Sequence, residues 1–314
     1  MDRLVAMLRA AGDPTRLRLL LLLREAELTV SELIEIVGQS QPRVSRHLKL
    51  LGEAGLLERF KEGSWVFYRA ADRGTGADLT RTLAGLAGEH PADRARLTQV
   101  REARTARAAA YFKANAAEWE RIRSLHAPEK EVEAAILARL PQSIGALLDI
   151  GTGTGRMLEL LGPRAGRAFG VDVSPDMLAI ARDRLAGVAN AQVRLGDLYR
   201  LPFGDDAGFD AVLFHQVLHY LDDPGAAVAE AARVMAPGGV LLIADFAPHE
   251  LEFLREDDAH RRLGFSDREV ESWFAAAGLA SVSTDVIAPP HSAGAEKLTV
   301  KLWLARAGRE KKKP

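Results

Sequence analysis

Short apolar segments with helical spacing occupy the first fifty residues of the chain. Asp13 and Pro14 put an acid and a proline at the start of a helix, and an apolar run follows over residues 17–23. Residues 29–37 and residues 40–51 then carry apolar positions three and four apart, with a glycine between the two segments. This spacing predicts two short helices joined by a tight turn, which is a helix-turn-helix.

Two strand-like segments follow the second of these helices. Residues 56–60 and residues 64–69 flank the charged segment Lys61-Glu62-Gly63, which predicts a hairpin. A helix-turn-helix followed by a hairpin is the order of a winged helix domain with an α+β fold. Residues 77–88 fit one further helix.

A long segment rich in alanine and arginine separates the two halves of the chain. Apolar positions recur at steps of three and four over residues 91–125, which predicts one long helix with a basic first part. A solvated helix that links two domains explains these charges, and so does a dimerisation helix that passes a signal between domains. The sequence leaves both interpretations open.

Strands and helices alternate along the second half of the chain. Helices are predicted at residues 129–140 and 224–235, and another begins at Ser174 and Pro175. The strand-like segments are residues 147–150, 167–172, 191–197, 210–215, 240–244, 280–287 and 298–305. Such alternation predicts an α/β domain built on a parallel sheet with a final antiparallel strand.

These patterns divide the chain into three parts. We predict a winged helix domain over residues 1–90, a helical linker over residues 91–127 and an α/β domain over residues 128–314. We expect the linker to provide dimer contacts and a lid for the site in the α/β domain.

Composition narrows the chemistry that the chain can perform. Hydrophobic residues make up 47% and charged residues 27% of the 314 residues, as in globular proteins. There is no cysteine, which excludes disulfides, thiolate metal sites and cysteine nucleophiles. No apolar run reaches the length of about 18 residues that a membrane helix needs. The N-terminus lacks the apolar core of a signal peptide, so we expect a cytoplasmic protein without a membrane association.

The second helix of the helix-turn-helix is locally basic, although the net charge of the chain is −1. Between Gln39 and Gly52 lie three basic residues and no acid. Val44, Leu48 and Leu51 form an apolar stripe, so the polar side chains share the opposite face. An isolated basic helix is usually a solvated face, but the order of helix-turn-helix and wing favours DNA binding in the major groove. The predicted DNA contacts are Ser40, Gln41, Arg43, Ser45, Arg46, His47, Lys49, Arg59 and Lys61, with Arg69 as a further phosphate contact.

Three stretches resemble the ArsR/SmtB family of winged helix repressors, namely AGDPTRLRLLLLL, VSELIEIVGQSQPRVSRHLKLLGEAGLLERF and KEGSWVFYRA. The resemblance covers about residues 4–72 and implies a homodimer that binds an inverted repeat in double-stranded DNA. Many members sense metals through cysteines ahead of the recognition helix. Residues 27–31 contain no thiol, and the paired metal ligands of the family's last helix are not evident near Glu89 and His90. We therefore predict no metal site.

A glycine-rich segment follows the first strand of the second half. Gly151, Gly153 and Gly155 have the spacing G-x-G-x-G after Asp149, and a helix begins after them. Strand, glycine turn and helix in this order predict a nucleotide-type site, because glycine lets the backbone approach a ligand closely. A dinucleotide motif would have its third glycine where Arg156 stands, which favours a nucleoside ligand without a pyrophosphate.

The next two strands also end in acids. Asp172 ends the second strand about 20 residues after the glycine turn, where a carboxylate accepts hydrogen bonds from ribose hydroxyls. Asp197 ends the third strand, where a carboxylate can accept the exocyclic amine of an adenine.

Five stretches resemble the class I S-adenosylmethionine-dependent methyltransferases, which have a Rossmann-like fold, and those of ubiquinone and menaquinone biosynthesis in particular. They are LLDIGTGTG, GVDVSPDML, GDLYRLPF, FDAVLFHQVLHYL and ARVMAPGGVLLIADF, within about residues 130–305. The resemblance implies S-adenosylmethionine or S-adenosylhomocysteine as the ligand. It assigns cofactor contacts to Asp149, Gly151, Gly153, Gly155, Asp172, Val173, Met177, Asp197, Leu198 and His215, with Gln216 beside them.

Aromatic residues cluster at positions 111–119 of the predicted linker. Aromatic side chains at helical spacing usually belong to a core. Methyltransferases of this type often close their site with an N-terminal helix, so Tyr111 and Arg123 are candidate lid contacts to the cofactor.

The sequence indicates the reaction less clearly than it indicates the ligand. Methyl transfer needs an aligned acceptor more than a catalytic residue, and a base helps when the acceptor is a hydroxyl, a thiol or an acidic carbon. His215, His249 and His260 are weak catalytic candidates, and for His215 a structural or cofactor-contacting role is favoured. Arsenite methylation would need several cysteines, and the N/D-P-P-Y/F motif of DNA amino-methyltransferases does not occur at Gln216.

Two functions remain open at this point. In the first, the chain is a transcriptional regulator whose second domain binds S-adenosylmethionine or S-adenosylhomocysteine as an effector and retains methyltransferase capability. In the second, it is an active small-molecule methyltransferase that regulates its own gene and acts on an unidentified acceptor. We favour the regulator.

Overall fold

The computed structural model describes residues 2–62, 65–71, 74–88, 90–116, 128–205, 207–256, 258–289 and 298–308. The chain forms two compact units, which divide between Ala106 and Arg107. Each unit has its own buried apolar core. Among the described helices, none is long and apolar enough to cross a membrane.

Six helices belong to the described part of the first unit, and side-chain caps begin two of them. The six helices are α1 (Asp2–Ala11), α2 (Pro14–Glu25), α3 (Val30–Val37), α4 (Gln41–Glu53), α5 (Gly74–Ala87) and α6 (Pro91–Asn115), which extends past the boundary. The Asp13 side chain accepts the Arg16 backbone N–H at 3.0 Å at the start of α2. Thr29 and Glu32 form a capping box at the start of α3, and Gly38 ends this helix with a φ of 69°.

A small antiparallel sheet completes the first unit. Its strands are β1 (Leu28–Thr29), β2 (Leu57–Glu62) and β3 (Trp65–Ala70), in the order β1-β3-β2. Strands β2 and β3 form the predicted hairpin, in which Leu57 lies opposite Ala70. Helices α3 and α4 followed by this hairpin are the predicted winged helix.

The first part of α6 is integrated into the core of the first unit. Leu97 and Val100 on this helix are buried in the same cluster as Leu33 and Ile36 of α3. The alanine- and arginine-rich helix therefore contributes buried apolar side chains to this core, in addition to its charged side chains.

The second unit is an α/β fold of alternating strands and helices. Its helices are α7 (Glu129–Arg139), α8 (Arg156–Leu161), α9 (Pro175–Arg184), α10 (Pro224–Arg233), α11 (Phe253–Glu256) and α12 (Asp267–Ala276). Ser174, Asp223 and Ser266 cap three of these helices through side-chain oxygens that accept backbone N–H groups.

The strands of the second unit form one seven-stranded sheet. They are β4 (Ile144–Ile150), β5 (Ala165–Asp172), β6 (Ala191–Leu195), β7 (Phe209–His215), β8 (Met235–Phe246), β9 (Leu279–Ile287) and β10 (Val300–Ala307). The strand order is β6-β5-β4-β7-β8-β10-β9, with parallel pairing from β6 to β8 and antiparallel pairing on both sides of β10. The predicted fold class, including the antiparallel last strand, is confirmed.

The order of the strands determines where a ligand can enter the sheet. After β4 the chain continues to β5 and β6 on one side, and it then returns to β7 and β8 on the other side. Helices after β4 and β7 therefore diverge, and a crevice opens at the carboxyl ends of these two strands. The glycine turn at Gly151, Asp172 and His215 all lie at this edge of the sheet.

Candidate nucleic-acid interface and ligand site

Helix α4 presents the predicted polar residues on its solvent face. Val44, Leu48 and Leu51 are buried, as the apolar stripe in the sequence predicts. The exposed residues on and next to this helix are Ser40, Gln41, Arg43, Ser45, Arg46 and Lys49. The hydrogen-bond donors of these side chains are thus available to a macromolecule that approaches from solvent.

His47 differs from the other predicted DNA contacts in its orientation. Its side chain is mostly buried, and Nδ1 lies 4.0 Å from Asp13 Oδ1 at the start of α2. The pKa of Asp13 is lowered chiefly by the hydrogen bond from the Arg16 backbone, and His47 makes a smaller contribution. His47 therefore lies where it can fix α4 against α2.

The wing adds two exposed cations to the same surface. Arg59 and Lys61 are exposed on β2. A groove of about 320 Å³ lies between α4 and the wing, and Ser45, Lys49 and Arg59 are among the residues that line it. Helix and wing therefore form two walls of one surface.

Arg69, the further phosphate contact considered from the sequence, pairs with acids. It lies directly opposite Glu58 in the hairpin, and its Nη2 donates to Glu58 Oε2 at 2.7 Å. Its Nη1 donates to Glu27 Oε1 at 3.4 Å. The charge of Arg69 is therefore offset within the sheet, because cross-strand neighbours meet side by side.

Helix α6 contacts both ends of α3 through arginines. Arg104 Nε donates to Glu32 Oε1 at 2.8 Å, and Glu32 is the capping-box residue at the start of α3. Arg96 Nη1 donates to the backbone carbonyl of Ile36 near the end of α3 at 2.8 Å. Periodicity in the sequence did not reveal these contacts, because it does not show which element a basic side chain meets.

The glycine turn after β4 requires glycine for two separate reasons. Gly151, Gly153 and Gly155 all have left-handed backbones, with φ values of 73°, 53° and 82°. In addition, a Cβ at Gly151 would lie 2.1 Å from Cγ2 of Val217, which follows β7. The turn after β7 therefore packs directly on the glycine turn.

Two side-chain contacts hold the glycine turn in place. Asp149 is buried at the end of β4, and its Oδ2 accepts the Thr152 hydroxyl at 2.6 Å. Arg156 donates from Nε and Nη2 to the two carboxylate oxygens of Glu133 on α7, both at 2.8 Å. The pKa of Arg156 is raised, chiefly by this interaction with Glu133. The residue at the place of a third dinucleotide glycine thus ties the turn to α7.

Asp172 lies at the carboxyl end of β5 with both oxygens aimed at backbone amides. Its Oδ2 accepts the Gly153 N–H at 2.8 Å, and its Oδ1 accepts the Ser174 N–H at 2.9 Å. Burial raises the pKa of this carboxyl, while the backbone hydrogen bonds lower it. Val173 beside it is 47% exposed, which leaves an apolar side chain at the crevice.

The remaining predicted cofactor contacts lie around the same edge. Asp197 is exposed and its Oδ1 accepts the Tyr199 backbone N–H at 2.9 Å, while Leu198 is buried. Met177 is buried in a small apolar cluster that includes Tyr111.

Tyr111 is the one lid candidate within the described residues. Its hydroxyl donates to Asp258 Oδ1 at 2.6 Å, and its ring packs near Met177 of α9. Asp258 was not expected as its partner, and the contact of Tyr111 with a cofactor stays a prediction. Arg123 lies outside the described residues.

Two family models match the chain. One, described as a bacterial regulatory protein of the arsR family, matches residues 13–59, and the other, described as a methyltransferase domain, matches residues 148–243. The chain joins an ArsR-type winged helix to a methyltransferase domain. The first match spans α2 to β2, and the second spans the glycine turn to β8.

Curated relatives match the two domains separately. The arsenical resistance operon repressor of Escherichia coli is 48% identical over 66 residues, which are 21% of this chain and 56% of the relative. An uncharacterised methyltransferase of Mycobacterium tuberculosis is 36% identical over 139 residues, or 44% of this chain and 53% of the relative. Demethylmenaquinone methyltransferase of Thermus thermophilus is 42% identical over 106 residues, which are 32% of this chain and 47% of the relative. The chain thus spans about half the length of these relatives.

Solved structures resemble the methyltransferase domain. A chain from a Haloferax volcanii complex of a methyltransferase activator with an assigned methyltransferase has a TM-score of 0.54 and 26% identity, over 63% of this chain and 98% of that chain. A Thermotoga maritima protein described as an S-adenosylmethionine-dependent methyltransferase has a TM-score of 0.52 and 24% identity. The likeness covers 64% of this chain and 100% of that chain. The second likeness shows the fold alone.

The methyltransferase domain gathers histidines near the end of β8. His260 is buried, and its ring lies 4.2 Å from the ring of His219 between centroids. His219 Nδ1 lies 2.6 Å from Oδ1 of the buried Asp245, the penultimate residue of β8. His249 is more peripheral, with its ring 6.0 Å from that of Phe246.

His215 is buried at the last residue of β7. The His219–Asp245 pair was not among the predicted site residues. An acid at the end of the fifth strand was the available signal, since Asp172 ends an earlier strand in the same way. Within the described residues of the methyltransferase domain and the winged helix, no group of three or more metal-ligating side chains converges.

Proposed function

We propose that this chain is a DNA-binding transcriptional regulator, with the action of a repressor, whose methyltransferase domain binds S-adenosylmethionine or S-adenosylhomocysteine as an effector. The winged helix binds an inverted repeat in double-stranded DNA as a homodimer, and the methyltransferase domain retains the capability for methyl transfer. The likeness to the E. coli arsenical resistance operon repressor supports the first part.

The observation that carries this proposal is the presence of two different recognition surfaces in one chain. The exposed face of α4 carries Arg43 and Arg46 next to the cations of the wing. The crevice of the second domain carries the left-handed glycine turn and Asp172. An enzyme has no need of the first surface, and a plain repressor has no need of the second.

The residues present at the crevice fit S-adenosylmethionine. A carboxylate oxygen has more than one lone pair, so Asp172 can accept ribose hydroxyls while Gly153 and Ser174 donate to it. The exposed Val173 side chain offers an apolar surface for an adenine. Gly151 and Gly153 let the backbone approach the methionine part.

Ligand-dependent DNA binding is the test of the effector role. The full-length chain would first select duplexes from a random pool, and its affinity for the selected duplex would then be measured with S-adenosylmethionine and with S-adenosylhomocysteine. We expect one ligand to change DNA affinity by about 5- to 150-fold, the usual range of allosteric coupling. If neither ligand changes it while a methylated product accumulates from a cell extract, the effector proposal fails.

The alternative is an active small-molecule methyltransferase that regulates its own gene. The His219–Asp245 pair and His260 favour it, because a histidine held by a carboxylate can accept a proton from an acceptor. The likeness to demethylmenaquinone methyltransferases also supports it. Turnover of labelled S-adenosylmethionine with fractionated small molecules tests this alternative. It fails if no fraction is methylated while the ligand alters DNA binding.

Asp172→Ala tests the ligand site that both functions share. Loss of the carboxylate removes the acceptor for ribose and the anchor for the Gly153 amide, so we expect binding of S-adenosylhomocysteine to become undetectable by calorimetry. Asp176→Ala is the matched control, since Asp176 is exposed in the first turn of α9. Equal losses of S-adenosylhomocysteine binding in the two variants would contradict a specific role of Asp172 in the ligand site.

A further inference from the structure

His47 lies at a junction between helix α4 and the start of helix α2. Its side chain is 14% exposed, and its Nδ1 is buried at a distance of 4.0 Å from Oδ1 of Asp13. Within the described part of the chain, this Nδ1 has no hydrogen-bond partner. A buried polar atom without a partner is uncommon in folded proteins, so the pair of His47 and Asp13 has an unused capacity for a hydrogen bond.

Asp13 is an anion at this junction. Its Oδ1 accepts the Arg16 backbone N–H at 3.0 Å as the cap of α2, and this hydrogen bond is the chief reason why the pKa of Asp13 is lowered. The carboxylate therefore keeps its charge over the range from about pH 5 to pH 8, in which histidine side chains change theirs.

A second contact holds the same junction without any charge. Gln39, which precedes α4, donates from Nε2 to Oγ1 of Thr15 at 2.9 Å, and Thr15 is the second residue of α2. The segments that carry Asp13 and His47 are therefore connected independently of the protonation state of His47.

The other elements that pack on α4 are α1, α3 and β2. No described acid on these elements forms an ion pair with His47, which has this contact with Asp13 alone. On α2, the side chain of Arg16 attracts Asp13, while its Nη2 donates to the Arg9 carbonyl of α1 at 3.1 Å. On α4 itself, Arg43 is exposed one helical turn before His47.

The rest of the His47 ring faces the predicted DNA surface. Side chains of a helix lean toward its N-terminus, so the ring of His47 lies over the turn that carries Arg43. Because Nδ1 is buried, the exposed part of the side chain belongs to the rest of the ring. A DNA phosphate that is bound by Arg43 would then lie on the side of Nε2.

An imidazole between two anions has one favourable protonation state. A neutral ring with its hydrogen on Nε2 turns the lone pair of Nδ1 toward the Asp13 carboxylate, and a neutral ring with its hydrogen on Nδ1 turns the lone pair of Nε2 toward the phosphate. Only the imidazolium donates to both.

We infer that His47 contacts a DNA phosphate as an imidazolium, with Asp13 as the positioning residue, so that DNA binding takes up a proton at His47. The proton comes from the buffer and forms the second N–H bond of the ring. This inference rests on the proposed binding of DNA by the winged helix.

Linkage gives the direction of the pH dependence. The complex holds more protons than free chain and free DNA, so DNA affinity falls as pH rises through the range in which His47 titrates, and it is constant on either side of that range. Uptake of one proton lowers the affinity by at most tenfold per pH unit for each bound protomer. We expect a fall of about tenfold per protomer between about pH 6 and pH 8.

The full-length chain and the selected duplex provide the test. Affinity would be measured across this pH range, and calorimetry in two buffers of different ionisation enthalpy would count the protons taken up. His47→Gln removes the titrating ring, and Asp13→Asn removes the charge but keeps an oxygen that can cap α2. His90→Gln is the matched control, because Nδ1 of His90 also lies near a carboxylate, at 3.3 Å from Asp93 Oδ2, but outside α4. A thermal melt of each variant records folding.

We expect His47→Gln to lose the proton uptake and the pH dependence that accompanies it. Asp13→Asn should reduce both, and His90→Gln should change neither. Thr15→Val removes the acceptor of Gln39, so it should lower the affinity by the same factor at every pH, as a purely structural role of the junction would. At about pH 6, His47→Gln should also reduce the slope of log affinity against log salt by about 1 per protomer, since one phosphate contact is lost.

The inference is overturned if His47→Gln takes up as many protons as the unmodified chain, or if a folded Asp13→Asn variant keeps the full pH dependence. An unchanged salt slope in His47→Gln would overturn the phosphate contact. If the unmodified chain selects no duplex from the random pool, the proposed DNA binding itself fails, which is a distinct result.

Discussion

At Gly151, the backbone conformation and the space around the residue each disfavour a side chain, for separate reasons. The backbone φ of 73° is costly for any residue with a side chain, by about 1–2 kcal/mol. The contact with Val217 adds a separate cost, because a Cβ 2.1 Å from Cγ2 requires one of the two segments to move. Overpacking of this kind typically costs about 1–3 kcal/mol.

Gly151→Ala should therefore lower the free energy of unfolding of the methyltransferase domain by about 2–5 kcal/mol, measured by urea denaturation. Val217→Ala combined with it should recover the overpacking part and leave the conformational part. A double variant as unstable as the single one would show that the close contact is not the cause. Gly187→Ala, where a Cβ meets nothing within 4 Å, is the control.

At the scale of the element, two helices of the winged helix have different tasks. Helix α4 turns its polar side outward, and its apolar stripe is buried. Helix α6 turns arginines inward onto α3. Arginines on the two helices therefore have different roles, which depend on whether the guanidinium faces solvent or donates to an oxygen of a neighbouring helix.

Arg46→Ala on α4 should weaken DNA binding without a change in S-adenosylhomocysteine affinity. A phosphate contact would reduce the slope of log affinity against log salt by about 1, and a base contact would cost about 1–3 kcal/mol with relaxed sequence preference. Measurements at several salt concentrations on the selected duplex separate these cases. Arg81→Ala on α5 is the control, since the Arg81 side chain is 72% exposed. DNA affinity equal to that of the control would argue against α4 as the recognition helix.

Arg104→Ala on α6 should destabilise the winged helix. Glu32 is 19% exposed in its side chain and would lose a charged partner at the start of α3, which costs about 1–3 kcal/mol. Thermal unfolding should show a lower midpoint for Arg104→Ala than for Arg24→Ala, an exposed arginine on α2. Similar midpoints for the two variants would mean that this ion pair contributes nothing measurable.

At the scale of the whole molecule, two sites in one chain are linked only if ligand and DNA affect each other's affinity. Linkage is reciprocal for binding free energies, so the factor must be the same in both directions. A ligand with equal affinity for free and DNA-bound chain changes nothing, however tightly it binds.

If S-adenosylhomocysteine changes DNA affinity by some factor, saturating DNA should change S-adenosylhomocysteine affinity by that same factor. Calorimetry with and without the selected duplex measures it. Asp172→Ala provides the control, because its DNA affinity should no longer depend on the ligand. Unequal factors would indicate a second ligand site or a change of oligomeric state.

Local chemistry made much of this architecture predictable. Gly38 ends α3 with a left-handed backbone, and Asp172 ends β5 beside the glycine turn, as the spacing in the sequence indicates. Caps, glycine turns and apolar periods involve neighbours within a few residues of one another. Such signals can be recognised without knowledge of the folded chain.

Contacts between distant residues were not predictable in this way. His47 was predicted to contact DNA, and the structure adds that its Nδ1 lies 4.0 Å from Asp13 at the start of α2. Helical spacing does not show which neighbouring element a residue at the edge of the apolar stripe meets. The pairing of Arg69 with Glu58 depends on hairpin register. The pair His219 and Asp245 is formed by segments that approach only when β7 and β8 lie side by side.

The sequence by itself determined the two kinds of domain, the glycine turn and the acids at strand ends, because these follow from local spacing. Only the tertiary structure decided which charges face solvent and which face a partner. It brought Glu133 to Arg156, Glu129 to Gln216 and Val217 to Gly151. Strand order and helix packing produce these contacts, since they bring together residues that are far apart along the chain.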